Sequence, residues 1–174
     1  RGNVDTRINK LKENNYDAII LSLAGLKRIG LADRVTEVLD EKHFLPAASQ
    51  GTVGVQSKCD SNLKDVFRLI NNKETEIESV TERRVLKNIN ANCNSPICVY
   101  AKIRDNKISV KCDIFDHDGS KLFSKKIDEE KENYLTMANT LSKNILYEIG
   151  QDKINELDEL NDFDYTPSWG SQKS

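Results

Sequence analysis

Four short stretches of this 174-residue chain hold residue types that can bind or react. Arg1-Gly-Asn-Val-Asp-Thr-Arg7 sets two arginines at the start of a segment with helical spacing. Free backbone N–H groups and the helix dipole already favour anions there, and guanidinium forks grip carboxylates in bidentate fashion. Ala24-Gly-Leu-Lys-Arg28 places a Lys/Arg pair at the end of the next helical stretch. Leu45-Pro-Ala-Ala-Ser-Gln-Gly-Thr-Val-Gly54 is a glycine-bearing loop in which Gln50 can donate or accept beside Gly51. Asn92-Cys-Asn-Ser-Pro-Ile97 presents Cys93 in a polar loop.

Each stretch also has an ordinary reading. Lone arginines on helices are mostly solvated or in weak surface pairs. Lys27 and Arg28 near a helix C-terminus complement the dipole without any ligand. The glycine loop fits neither a P-loop nor a dinucleotide fingerprint. A single cysteine is more often an inert, partly buried thiol than a reactive one.

Composition narrows the classes further. Lys+Arg 26 against Asp+Glu 28 leaves a net charge of −2, so no basic field draws the chain to nucleic acid or to anionic lipid. Anion binding must come from a few placed arginines. The longest apolar run, Ala18 to Leu26, is interrupted by Ser22 and is too short to span a bilayer. No signal-peptide pattern opens the sequence, and a cytoplasmic location is expected. The four cysteines, Cys59, Cys93, Cys98 and Cys112, are not dense enough for a disulfide framework. Cys93 and Cys98 lack the short paired spacing of a zinc site, so independent thiols and no metal are expected.

The elements that must position these residues follow from periodicity. Val4 to Asn14 reads as a helix with Asn3 as N-cap. Ala18 to Leu21 reads as a strand buried on both faces. Ser22 to Ile29 is expected to be helical and to stop at Gly30, and Asp33 to Leu39 to form a further short helix. Thr52 to Lys58 alternates as a strand, and Asn62 to Asn71 places Leu63, Val66, Phe67 and Ile70 at helical spacing. Glu74 to Ile89 is a longer helix with a stripe of Ile77, Val80, Val85, Leu86 and Ile89. Ile97 to Arg104, Lys107 to Phe115 and Lys121 to Ile127 read as three strands, turned at Asp105-Asn106 and Asp118-Gly119. Lys131 to Ile149 is a helix with Leu135, Ala138, Leu141, Ile145 and Ile149 inward.

The fold class expected is therefore α/β plus α+β: an incomplete α/β portion, then a C-terminal α+β domain whose three-stranded antiparallel sheet is covered by helices. The α/β portion reads as incomplete because a buried strand needs neighbours on both sides.

Taken in order, Arg1-Gly-Asn-Val-Asp-Thr-Arg7, Tyr16-Asp-Ala-Ile-Ile-Leu21, Ala24-Gly-Leu-Lys-Arg28, Leu45-Pro-Ala with Gln50-Gly51, Glu82-Arg83 and the Cys93 loop with Pro96-Ile97 resemble the hydroxymethylbilane synthase (porphobilinogen deaminase) family. The resemblance runs from Arg1 to about Gly150, and its first motif is the most specific. It implies two α/β domains like periplasmic binding proteins and a C-terminal α+β domain bearing a cofactor cysteine. By this likeness residues 1–43 are the second half of domain two, and 44–72 return to domain one. Residues 73–160 form the cofactor-carrying domain, and 161–174 are a polar tail.

The resemblance implies an enzyme joining four porphobilinogen molecules into hydroxymethylbilane with release of ammonia, in tetrapyrrole and haem biosynthesis. It implies a dipyrromethane cofactor in thioether linkage to Cys93, with Arg1, Arg7 and Arg28 holding acetate and propionate groups and Gln50 and Gly51 along the cofactor. The catalytic aspartate is expected upstream of Arg1, so no catalytic residue is assigned within this chain and the chain alone is expected to be inactive. Implied partners are porphobilinogen, polypyrrole intermediates and an N-terminal part of the same protein, the full-length form being monomeric. Two departures stand out: Ala91 and Asn92 replace the two glycines usual before the cysteine, and Cys98 replaces a glycine after it. The reading from a different class is a non-enzymatic carboxylate-binding module of binding-protein-like fold.

Overall fold

The computed structural model describes residues 3–13, 16–92 and 95–159. Its best-packed part is a three-stranded antiparallel sheet in the order β1-β2-β3, formed by β1 (Ile97–Arg104), β2 (Lys107–Phe115) and β3 (Lys121–Glu130). Strict alternation drives the pairing. Ile97, Val99, Ala101 and Ile103 of β1 share a buried face with Ile108, Val110, Cys112 and Ile114 of β2. Asp105 and Asn106 close the β1–β2 hairpin with φ of 50° and 66°. Two left-handed residues match the twist of the flanking strands, and Asp and Asn tolerate that geometry best among side-chain-bearing residues. The third strand runs three residues beyond expectation, because Asp128, Glu129 and Glu130 continue the ladder opposite Ser109, Ile108 and Lys107.

Two helices, α4 (Lys73–Asn88) and α5 (Tyr134–Glu148), pack on the buried face of the sheet. The Asn72 side chain caps α4 by accepting from the Thr75 N–H at 3.0 Å. Val85, Leu86 and Ile89 meet Met137, Ala138, Leu141 and Ile145 over the sheet. Val80 and Leu135, expected inward, are exposed, and Thr81 and Glu82 are buried instead. A further helix that periodicity did not foretell, α6 (Gln151–Glu159), buries Ile154 and Leu157 completely in the same core. The expected α+β domain is therefore present, one helix larger than read.

The preceding residues are organised differently. They form α1 (Val4–Lys12), α2 (Leu23–Arg28), a single 3-10 turn at Ala32–Arg34 and α3 (Lys64–Leu69). Asn3 occupies the cap position of α1 but makes no side-chain cap bond. Gly30 ends the α2 segment with φ 72°. The strands expected at 18–21 and 52–58 are not strands, and the helix expected at 33–39 shrinks to the 3-10 turn. The reason is pairing. An extended segment needs a neighbour for its N–H and C=O groups, and the described residues offer none beside 18–21. The Arg7 guanidinium donates to the Ile20 carbonyl at 3.1 Å in its place. Ile20 is left 56% exposed, against an expectation of burial on both faces. The tail at 161–174 lies outside the described residues.

Candidate functional site

A cleft of about 1210 Å³ opens between the N-terminal segments and the α4–β1 side of the α+β domain. Arg7 on α1, Ser22 and Ala24 at the head of α2, and Gln50 and Gly51 of the glycine loop line one wall. Glu78, Ser79 and Glu82 of α4 with Tyr100 and Lys102 of β1 line the other. Arg7 is half-buried, and its bond to the Ile20 carbonyl uses one of five guanidinium donors.

The glycine loop is shaped by two tight turns, with Gln50 N–H donating to Ala47 O at 3.0 Å and Thr52 N–H to Ser49 O at 3.0 Å. Gly51 has φ 82°, and a Cβ there would stand 3.4 Å from the Ser22 hydroxyl and 3.6 Å from the Ala24 methyl. Glycine is thus favoured by conformation, while the α2 entrance stands at ordinary contact distance.

The opposite wall solves an edge-strand problem. β1 is an outer strand of the sheet, so every second N–H points away from β2 and needs an acceptor. Glu82 Oε1 accepts from Ala101 N–H at 2.7 Å, and Glu78 Oε1 accepts from Ile103 N–H at 2.8 Å. Glutamates one helical turn apart match strand amides two residues apart, because both spacings are roughly 6 Å. The Lys102 ammonium neutralises Glu78 at 3.2 Å. Among the described residues no cation is in salt-bridge contact with Glu82, and burial pushes its carboxyl up to about 7 against the opposing pull of the Ala101 and Ser49 N–H bonds. Desolvation also raises the Tyr100 phenol, with Glu41 adding to it.

At the far end of α4, Asn90 turns the chain with φ 55°, and Ala91 N–H closes the helix onto Leu86 O at 3.0 Å. Gln151 of α6 donates to the Ile89 carbonyl at 2.9 Å, satisfying an acceptor at the negative end of α4. Ser95 ties back to Asn92, accepting its N–H at 3.2 Å, and its single O–H lies between two acceptors, the Asn92 carbonyl at 3.0 Å and the Asp158 carboxylate. A shallow groove of about 520 Å³ runs along Arg83, Leu86 and Lys87 to Asn92. Arg83 and Lys87 thus share one groove that reaches Asn92.

Of the residues singled out by sequence, the structure brings Arg7, Gln50 and Gly51 to one cleft. Arg28, at the exposed end of α2, does not line it. Arg1 and Cys93 lie outside the described residues. The other thiols are unlike one another: Cys59 is exposed, Cys98 is half-buried and Cys112 is fully buried. Burial, then Asp113, holds back ionisation of both Cys98 and Cys112. Among the described residues no cluster of three His, Cys, Asp or Glu is placed to hold a metal ion, and no helix is long and apolar enough to cross a membrane. Sequence reading gave Ser49 and Glu78 no role. Their signal was present in part: Glu78 and Glu82 continue the helical line of Val85 and Ile89, where a charge is out of place unless partnered.

Comparison with known proteins adds two matches in chain order. Residues 1–65 match the family model described as porphobilinogen deaminase, dipyromethane cofactor binding domain, and residues 76–149 match porphobilinogen deaminase, C-terminal domain. A porphobilinogen deaminase of Nitratiruptor sp. is 40% identical over 149 residues, covering 84% of this chain and 47% of that protein. Enzymes of the same name from Clostridium perfringens and Campylobacter lari are 36% and 34% identical, over 86% and 92% of this chain and 50% and 53% of their own. The chain spans about half the length of the curated relatives it matches.

Proposed function

Because the chain belongs to the porphobilinogen deaminase family, we propose that it carries the cofactor-holding portion of a hydroxymethylbilane synthase. The reaction joins four porphobilinogen molecules head to tail, breaking one C–N bond and releasing one ammonia for each C–C bond formed. The observation that carries this reading is the meeting of Arg7, Gln50 and Gly51 in one cleft, with both family matches running in order through the residues around it.

A dipyrromethane, when bound, supplies the free pyrrole carbon on which a chain can grow. The residues present fit such a group. The cleft is roomy, Gly51 leaves a slot that a Cβ would narrow, and Arg7 offers guanidinium donors to a substrate with two carboxylates per ring. Carboxylates leaving water need such pairing, since an unpaired buried charge is very costly. Cys93 is the proposed attachment point: its sulfur takes the methylene of a deaminated pyrrole, a C–S bond replaces the C–N bond, and ammonia leaves with the thiol proton. The depressed acidity of Cys98 and Cys112 supports this choice. Arg1 and Arg28 are proposed as further carboxylate ligands on the family likeness alone.

Residues 1–43 and 44–72 are proposed to complete two binding-protein-like α/β domains once the other half of the fold is present. Segments 18–21 and 52–58 then gain the strand neighbours they lack here. The exposed Ile20, Val53, Val55, Val66 and Ile70 supply the apolar surface for that union.

The test is mass spectrometry of the 174-residue chain after incubation with porphobilinogen and a polypeptide corresponding to the unmatched half of the Nitratiruptor relative. A two-pyrrole adduct on the Cys93 peptide is expected, with turnover of porphobilinogen in the mixture and none by this chain alone. A folded mixture that leaves Cys93 unmodified refutes the reading, as does turnover by the chain alone for the assignment of the catalytic group elsewhere.

A further inference from the structure

Glu82 and Arg83 are among the motifs that carry the family likeness, yet the proposed reaction gives the carboxylate no task. Glu82 is 5% exposed, and its two oxygens serve different parts of the chain. One accepts the Ala101 N–H of β1 at 2.7 Å, and the other accepts the Ser49 N–H of the glycine loop. Ser49 has φ 61°, a left-handed conformation that costs energy for any residue with a Cβ. Its hydroxyl is gripped by Ser79 at 2.9 Å and by Arg83 Nε at 3.2 Å. The next residues are Gln50 and Gly51, and Gly51 abuts Ser22 and Ala24. Sheet edge, helix and cleft loop meet on one carboxylate.

We propose that Glu82 is a positioning residue that bridges Ala101 and Ser49 and thereby holds Gln50 and Gly51 against the α2 entrance, with a grip that depends on its protonation. The bridge deepens the reading of the cleft as a pyrrole site and rests on that reading only for its functional consequence.

The chemistry of the grip follows from the donors. Both partners of Glu82 are N–H groups, which an ionised carboxylate satisfies with both oxygens. A protonated carboxyl accepts well at its carbonyl oxygen alone, and its hydroxyl meets another donor. One of the two bonds weakens on protonation. Because burial brings the carboxyl to about 7, the change falls near neutral pH. The surrounding charges are few. Glu78 on the same helix raises the carboxyl and Arg83 lowers it. From β1, Tyr100 and Lys102 share the wall, with Lys102 committed to Glu78. The loop contributes the Ser49 amide and hydroxyl but no charge.

Amide hydrogen exchange of the 47–52 peptide in the full 174-residue chain tests this, with rates corrected for intrinsic exchange at each pH. Protection should fall about tenfold from pH 8.5 to pH 5.5, the worth of one hydrogen bond. Glu82→Gln keeps the shape but turns an NH₂ toward one of the N–H donors, so its loop should be about tenfold less protected at pH 8.5 and show no such pH dependence. Ser49→Gly removes the hydroxyl contacts but keeps the amide bridge, so its pH dependence should persist. If Glu82→Gln does not fold, titration of the Ser49 and Ala101 amide resonances in the unaltered chain decides, with a shared midpoint near 7 expected. A flat profile in the unaltered chain, or a Glu82→Gln loop with unaltered protection and pH dependence, overturns the proposal. Neither readout uses porphobilinogen, so a missing pyrrole adduct sinks the functional reading without touching this one.

Discussion

Residues 73–159 and residues 3–71 use the same apolar vocabulary with opposite outcomes. In α5, Met137, Leu141 and Ile145 recur at helical spacing and are all buried. In α3 and its C-cap, Val66, Leu69 and Ile70 recur at similar spacing, and Leu69 is 85% exposed. The hydrophobic core cluster begins at Val85, and earlier in the described chain only Leu26 and Leu45 count as buried hydrophobics. The difference lies in what each face meets. The strands from Ile97 to Glu130 pair with one another through tight local turns and so build their own platform, against which helices can pack. Among the described residues the earlier extended segments meet no strand, and α3, with no sheet beneath it, keeps Val66 and Leu69 in water. An apolar stripe says what a segment is able to bury; a partner decides whether it does.

The largest effect that bears on this contrast is expected in the core. Leu141→Ala should cost about 2–5 kcal/mol in denaturant unfolding, since Leu141 is fully enclosed and its removal leaves a cavity. A loss under 1 kcal/mol would mean that the α+β domain is far looser than its packing shows.

Next comes Glu82, where the two regions touch. Its folded carboxyl sits at about 7 against an ordinary 4.5, so the folded state holds this proton more tightly than the unfolded chain. The stability this contributes is full below pH 4.5 and is lost as pH rises through 7. Its size is about 3 kcal/mol. The difference in unfolding free energy between the unaltered chain and Glu82→Gln should therefore fall by that amount from pH 4.5 to pH 8, while carboxylates common to both proteins cancel. The global trend opposes the local one: acid relieves the buried charge yet loosens the glycine loop. A pH-independent difference would show that Glu82 is better hydrated than its 5% exposure implies.

The smallest effect is expected at Leu69→Ala, within about 0.5 kcal/mol for the chain alone. Adding a polypeptide corresponding to the other half of a relative should enlarge the cost, if this face is then covered. A large cost in the isolated chain would break the contrast between the two regions.

What the amino acids reveal without coordinates follows the same division. The limits of β1 and β2 and the Asp105-Asn106 turn are readable residue by residue, because alternation and left-handed preference act locally. The last three residues of β3 are not, since Asp128, Glu129 and Glu130 carry no apolar alternation to announce a strand and are held by their register opposite Ser109, Ile108 and Lys107. The expected strands at 18–21 and 52–58 failed because periodicity cannot say whether a neighbour exists. The family likeness singles out Arg7, Gln50 and Gly51, which line one cleft. The roles of Ser49, Glu78 and Glu82 were not legible, as they arise from a helix and an edge strand that only tertiary packing brings together.

The matched C-terminal family model stops at residue 149, but the sheet's cover does not. Ile154 and Leu157 lie past that border with no exposure to solvent, on a helix whose Gln151 and Asp158 also tie down both approaches to the cysteine loop. A gene shortened to the family border would shed two plugs from beneath the sheet and both tethers at once. Its product should precipitate or bind apolar dye, because the underside of the sheet would then face water.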